Sequence, residues 1–331
     1  MSGKKKINVV NFIIKTILLF LLLYVIYRQL FVDNDAALMM DELIVSVKNS
    51  NPLLLVSAVL LLALNLLFEA LKWETLVSVF TKISVAVAVK AVLTGVAAGI
   101  ITPARFGEYF GRILVLKPEH NWKGAWATFV ASIAQNLVTF FFGILGLALL
   151  PPDFLNGTLS GISSFLLPAG GVVFLLLLYF YYHIDLALKI ISKLGFAKIV
   201  KKIKPRDAQE ETVKDKKILN KVLILSFLRY FVFSLQYYLI LRFFGVQGQG
   251  IELFAAIFTI FLIQTAIPLP GILDVFSKSE IAILVLSHFS TNKIMILSSA
   301  LSLWIVNLLI PALLGMILIS GIDIAKSYGY D

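Results

Sequence analysis

The chain has 331 residues, 60% hydrophobic and only 15% charged, with a mean hydropathy of +0.94. A soluble domain carries roughly 25% charged residues, so a water-soluble fold is excluded and a polytopic membrane protein is expected. The net charge of +10 belongs to basic residues gathered beside apolar segments, the pattern of a cytoplasmic membrane face rather than of a nucleic-acid partner.

The N-terminus reads Lys4-Lys5-Lys6 and then an apolar run from Phe12 to Phe31. The run is long enough to span a bilayer and no small-residue cleavage site follows, so it is expected as a retained first helix with its N-terminus in the cytoplasm. Asp33, Asp35, Asp41 and Glu42 then mark an outer loop. A second span is expected from about Pro52 to Leu71, returning to the cytoplasm near Lys72 and Lys82. Two further spans, Gly124 to Leu150 and Thr158 to Tyr182, are joined by a short outer loop.

The loop from His183 to Lys221 holds eleven Lys or Arg against five Asp or Glu, which places it in the cytoplasm. Its first part, Ile184 to Lys204, alternates apolar and lysine faces like an interfacial helix that attracts anionic lipid. Lys117 to Lys123 and the segment near Lys82 must then also be cytoplasmic. Whatever lies between them enters and returns from the same side. The return limb, Pro103 to Leu116, has only 14 residues, about 21 Å of helix against a hydrocarbon core of roughly 30 Å. A re-entrant hairpin fits; two tilted full spans are the alternative.

The same shape recurs. Leu223 to Phe244 crosses outward, Leu253 to Ile267 leads to a Pro-Leu-Pro-Gly break, and a return limb reaches about His288. Ile294 to Ser320 makes the last crossing. The expected fold is an all-α integral membrane protein of about six full transmembrane helices plus two re-entrant, broken-helix hairpins, arranged as an inverted-topology repeat. Within this single polytopic domain, residues 1–50 are the first helix and outer loop and 51–150 the first half, with its hairpin at 84–116. Residues 158–182 form a connecting span, 183–221 the basic loop, and 222–320 the second half, with its hairpin at 253–288.

Broken helices are tolerated at membrane depth only where protein or a water-filled cavity covers the freed backbone, and paired breaks in two halves point to a binding site. At the first break, Thr102-Pro103 reads as a helix start, a hydroxyl cap followed by proline, with Gly107 close behind. Arg105, Glu108 and Arg112 fall on one face of the expected helix, two guanidinium forks suited to a phosphate. Their other reading is a set of charges that pair and rigidify the hairpin. The second break carries Pro268, Pro270 and Gly271, then Asp274, Lys278 and Glu280. This less basic set suits a coupling ion, a sugar or an amine, or simply the outer headgroup layer.

Gly95 and Gly99, then Gly107 and Gly111, have the spacing that lets membrane helices approach closely. Glu69 and Lys72 are expected at the membrane interface. Asn136, Arg229, Gln236, Gln264 and Asn307 lie inside spans and either face the same cavity or bond helix to helix.

The stretch Thr102-Pro103-Ala104-Arg105-Phe106-Gly107-Glu108-Tyr109 resembles the proline-x-arginine-x-glycine-glutamate signature of the lysylphosphatidylglycerol synthetase transmembrane-region family, often called flippase-like proteins. Asn65 to Trp73, Leu228-Arg229-Tyr230 through Gln236, Ile267-Pro268, and Leu303 to Asn307 with Pro311 are similar to its short, membrane-only branch. The resemblance implies a helical bundle with re-entrant hairpins in the cell (inner) membrane, moving an amphipathic lipid between leaflets. Bifunctional relatives carry a soluble aminoacyltransferase domain after the membrane part. The 331 residues leave no room for one, so synthase activity is not expected.

The leading expectation is therefore a lipid transporter that binds an anionic phospholipid or a polyprenyl-phosphate-type lipid. Arg105 and Arg112 would hold the phosphate and Glu108 would orient them. With no cysteine and three scattered histidines, His120, His183 and His288, no thiol chemistry or metal site is expected. No glycine-rich phosphate loop points to nucleotide hydrolysis, no cofactor is implied and no enzyme activity is expected. Two alternatives remain. One is a membrane-embedded glycosyltransferase using a lipid-linked sugar, with Asp33-Asn34-Asp35 as a metal-binding pair. The other is a non-transporting subunit that supports a lipid-synthesis enzyme partner.

Overall fold

The computed structural model describes residues 36–100, 102, 105–151, 160–186, 215–266, 271–322 and 327, without the side chains of 36–39, 160–166 and 271–277. The expected first helix, the Asp33-Asn34-Asp35 motif, Pro103, Pro268, Pro270, the side chain of Asp274 and residues 187–214 of the basic loop lie outside this set. Among the described residues all regular structure is helical. The principal elements are α1 (Ala36–Asn49), α2 (Pro52–Val77), α3 (Val85–Ile100), α4 (Gly107–Ile113), α5 (Asn121–Leu149), α6 (Ser160–Tyr182), α7 (Lys216–Phe243), α8 (Gly250–Ala266), α9 (Gly271–Leu286), α10 (Lys293–Trp304) and α11 (Ile310–Ser320). A π-helical turn, Ile305–Leu309, joins the last two into one rod.

Helix starts follow local chemistry. Asn51 accepts a hydrogen bond from the Leu53 amide (3.0 Å) with Pro52 in the first turn. Asp215 does the same for Lys217 (2.8 Å), and Asn292 for Ile294 and Met295. In each case a short polar side chain satisfies an amide that the helix leaves unpaired. Four described helices are long and apolar enough to cross a bilayer: Pro52–Val77, Pro118–Leu149, Lys216–Phe243 and Lys293–Ser320. The chain is thus a multi-pass membrane protein.

Between α2 and α5 the chain folds back on itself as α3 and α4. With seven residues, α4 extends only about 10 Å. The expected start at Thr102-Pro103 is not where this helix begins. Arg105 has φ = 56°, a left-handed conformation costing an L-residue about 1–2 kcal/mol, and it delays the helix to Gly107. Thr102 still serves the turn: its hydroxyl donates to the Gly99 carbonyl (3.1 Å) and accepts from the Gly107 amide (2.7 Å), clasping the end of α3 to the start of α4. Gly107 and Gly111 then lie on the α3 backbone, where an added Cβ would strike the Ala98 and Thr94 carbonyls. The close approach expected from their spacing is present.

Helix contacts pair off across the molecule. The two central helices, α2 and α7, pack extensively on each other. Helix α3 packs against α11 as α8 packs against α5, α3 against α4 as α8 against α9, and α4 against α5 as α9 against α10. Small residues make the corresponding contacts: Gly315 of α11 sits on the Leu93 carbonyl of α3, and Gly146 of α5 on the Ala255 carbonyl of α8. Two apolar cores divide along the same line. One gathers Trp73, Leu76, Val92, Trp126 and Val130 of α2, α3 and α5. The other gathers Tyr237, Ile240, Ile257, Ile260 and Leu286 of α7, α8 and α9.

Candidate functional site

Where these cores meet lies a polar cavity of about 230 Å³. It draws Arg105, Glu108 and Arg112 from the first hairpin and Gln264 and Lys278 from the second. The spans add Asn65, Glu69 and Lys72 of α2, Ser132, Gln135 and Asn136 of α5, Arg229 and Tyr237 of α7, and Trp304 and Asn307 of the last rod. Residues that flank both chain breaks therefore line one chamber.

Six of its charged side chains form a single network. The Glu69 carboxylate takes Arg112 Nη2 on one oxygen at 2.7 Å and Lys72 Nζ (2.7 Å) and Arg229 Nη1 (3.2 Å) on the other. Arg112 also pairs with Glu108, whose second oxygen lies 3.4 Å from Arg105 Nη2. Gln135 Oε1 accepts from Arg229 (3.1 Å) and Lys72 (3.3 Å). Arg229 Nε donates to Asn65 Oδ1 (2.8 Å), and Asn65 in turn donates to Asn307 (3.0 Å). Five segments, α2, α4, α5, α7 and the π turn, are tied through these side chains.

Burial sorts the cations by task. Lys72 and Arg112 are almost wholly enclosed, with side chains 1% and 3% exposed, whereas Arg229 and Arg105 reach 30% and 38%. The enclosed pair anchors the network; the other two present charge to the cavity. With Lys278, five cations thus line the cavity against two carboxylates, a surplus of three positive charges where isolated charge is expensive. Donors are also in surplus. Arg112 Nε and Nη1, Arg105 Nε, Trp304 Nε1 and Tyr237 Oη have no hydrogen-bond partner among the described residues. Buried donors left unpaired favour a ligand made of acceptors.

Of the residues singled out from the sequence, Arg105, Glu108, Arg112, Lys278, Arg229, Asn136 and Asn307 line this cavity, as does Gln264. Thr102 and Gly107 build the turn beneath it, and Gly271 begins α9. Glu280 is partly buried but is not in the lining. Gln236 instead donates to the Ala58 carbonyl at 2.7 Å, a bond between helices. Glu69 and Lys72 were expected at the interface; α2 runs on past them to Val77, and both are enclosed by protein at 5% and 1% exposure. Their partners Arg112 and Arg229 come from other helices, so only the local Glu69–Lys72 spacing was visible in the chain. Gln135, Tyr237 and Trp304 were missed. Among the described residues no group of three or more acidic, histidine or cysteine side chains is arranged to hold a metal ion.

The model of the family described as lysylphosphatidylglycerol synthase TM region matches residues 12–317. No curated protein matches the chain. With nearly its whole length covered, the chain belongs to that family of membrane proteins related to lipid metabolism.

Proposed function

We infer that this member of the lysylphosphatidylglycerol synthase transmembrane family is a flippase-type lipid transporter. It takes an anionic lipid headgroup into the cavity between its two hairpins. The observation that carries the reading is the convergence of both broken hairpins on a chamber with excess cations and unpaired donors. A phosphate group supplies acceptors and negative charge together, and guanidinium forks match it. The substrate class is a phosphate-bearing membrane lipid, an anionic phospholipid or a polyprenyl-phosphate-type lipid.

The matched helix pairings support an inverted-topology repeat in which α2 to α5 correspond to α7 to α11, the architecture by which one half rocks against the other around a fixed site. The basic loop and the lysine-rich N-terminus support a cytoplasmic N-terminus in the cell membrane. Transport driven by a gradient or by removal of product, without chemistry on the lipid, is the reading that this site supports.

The test is native mass spectrometry of the gently extracted protein beside Arg105→Ala/Arg229→Gln, the two most exposed cations of the network. Wild type should carry a phosphate-bearing lipid that the double variant loses while still unfolding in one cooperative thermal transition. Equal lipid retention by both proteins would remove these arginines from the site.

A further inference from the structure

A second cavity, about 630 Å³ and almost wholly apolar, runs beside the first. Ile133, Leu137 and Phe140 of α5, Leu177 and Phe180 of α6, and Leu262 of α8 form its walls. Its rim reaches Thr265 and Ala266, just before the second break. Thr265 returns its hydroxyl to the Phe261 carbonyl (2.8 Å), so it asks nothing of a ligand. One residue lines both this groove and the charged cavity: Asn136.

Asn136 is an unusual neighbour for hydrocarbon. It lies fifteen residues after the start of α5 and thirteen before its end, the middle of a membrane-crossing helix. It is exposed, and its amide makes no hydrogen bond among the described residues. At membrane depth no water stands ready to satisfy such a group, so an unpaired amide there is costly. Placed where an ionic chamber opens into an apolar groove, it matches the one part of a lipid that is polar but uncharged, the linkage between headgroup and tail.

The side of the groove is also loosely built. Helix α6 packs chiefly on α5. Its far end is held to α7 by Tyr181 donating to the Leu219 carbonyl (3.1 Å) and Tyr182 to Asn220 (2.5 Å). Val172, Leu175 and Leu176 of α6 are exposed, as for a helix facing lipid.

Building on the headgroup reading above, we propose that the apolar groove between α5, α6 and α8 seats a hydrocarbon chain of the transported lipid. Asn136 bonds the linkage, and the lipid enters sideways from the bilayer between α6 and α8. The tail gains no hydrophobic energy on leaving other tails for the groove, because lipid is as apolar as leucine. The groove sets alignment and the charged cavity sets affinity.

Photo-crosslinking with phosphatidic acid carrying a diazirine in its acyl chain tests this, with adducts mapped by peptide mass spectrometry. In wild type the adducts should fall on the α5, α6 and α8 segments lining the groove. Arg105→Ala/Arg229→Gln should reduce them tenfold or more, because the tail is held there by its headgroup. If the double variant loses bound lipid in native mass spectra yet keeps its groove adducts, the groove holds bulk lipid. The tail inference then fails and the headgroup reading stands. If wild type and double variant match in both measurements, the headgroup reading fails as well. Adducts that avoid the groove while lipid is bound would show that a segment of the chain itself fills it. Asn136→Leu separates a ligand role from packing: it should raise the melting temperature and weaken retention of phosphatidic acid severalfold. A fall in both would make Asn136 structural and overturn its assignment.

Discussion

Glu69 of α2 and Arg112 of α4 meet at 2.7 Å with both side chains almost fully enclosed, 43 residues apart in the chain. This pair fixes the short return limb of the first hairpin to a full membrane helix. It also leaves two nitrogens of Arg112, Nε and Nη1, without a partner among the described residues. The same guanidinium is thus both a structural tie and a donor at the cavity wall.

Removing the carboxylate should therefore be far more damaging than removing a surface acid. Glu69→Gln leaves Lys72, Arg112 and Arg229 crowded without their shared counter-charge. Breaking a buried ion pair from one side costs about 3–5 kcal/mol. A large drop in melting temperature in detergent is expected, against little change for Glu119→Gln, which lies in an exposed turn. Equal melting of both variants would mean that the network is not what holds α4.

Charge surplus predicts a preference among lipids of the same chain length. A phosphate monoester reaches two negative charges above its second pKa of about 6, whereas a diester carries one. Phosphatidic acid should bind several times more tightly than phosphatidylglycerol at pH 7.5. That advantage should shrink as pH falls through about 6, since the monoester loses its second charge while the diester is unchanged. A preference independent of pH, measured by native mass spectrometry, would show that charge matching does not set selectivity.

The small residues offer a paired test of the repeat. Gly315→Val and Gly146→Val each place a side chain on a facing carbonyl, on α3 and α8 respectively. Overpacking of this kind costs about 1–3 kcal/mol, so both variants should melt lower by similar amounts. Gly171→Ala, with open space around it, should be neutral. Strong effects at one site alone would argue that the two contacts are not equivalent.

The chain contains no cysteine, so single cysteines report depth without background. A cysteine at Thr102 should resist a membrane-impermeant maleimide added from outside intact cells, whereas one at Gln249, before α8, should react. Labelling at 102 from outside would mean that α3 and its return limb cross fully.

The helical architecture was legible because its signals are local. Asn51-Pro52 and Asn292 stand at starts expected at Pro52 and Ile294, and lengths of 26 to 32 residues mark the crossings, whereas α7 begins at Lys216, ahead of the expected Leu223. The fold-back of α3 on α4 was legible as well, from a short apolar limb after the break. Its helix start was not. Thr102-Pro103 looks the same in sequence whether the helix follows at once or, as here, after a left-handed residue at Arg105. The site was half legible: Arg105, Glu108 and Arg112 share one helix face and stand out. Glu69 and Lys72 did not, since depth in sequence is judged by distance from the nearest charged loop. Their true setting depends on Arg112 and Arg229, contacts that no spacing encodes.

The π turn at Ile305–Leu309 works as a frame shift in the last rod. Its wider winding takes one more residue than an α turn, so every side chain beyond Leu309 stands about 100° round the axis from where uninterrupted α-helix would set it. Asn307 within the turn meets Asn65 beside the charged network, and Gly315 two turns later meets Leu93 on the first hairpin. The turn sets the phase in which this one rod holds both contacts.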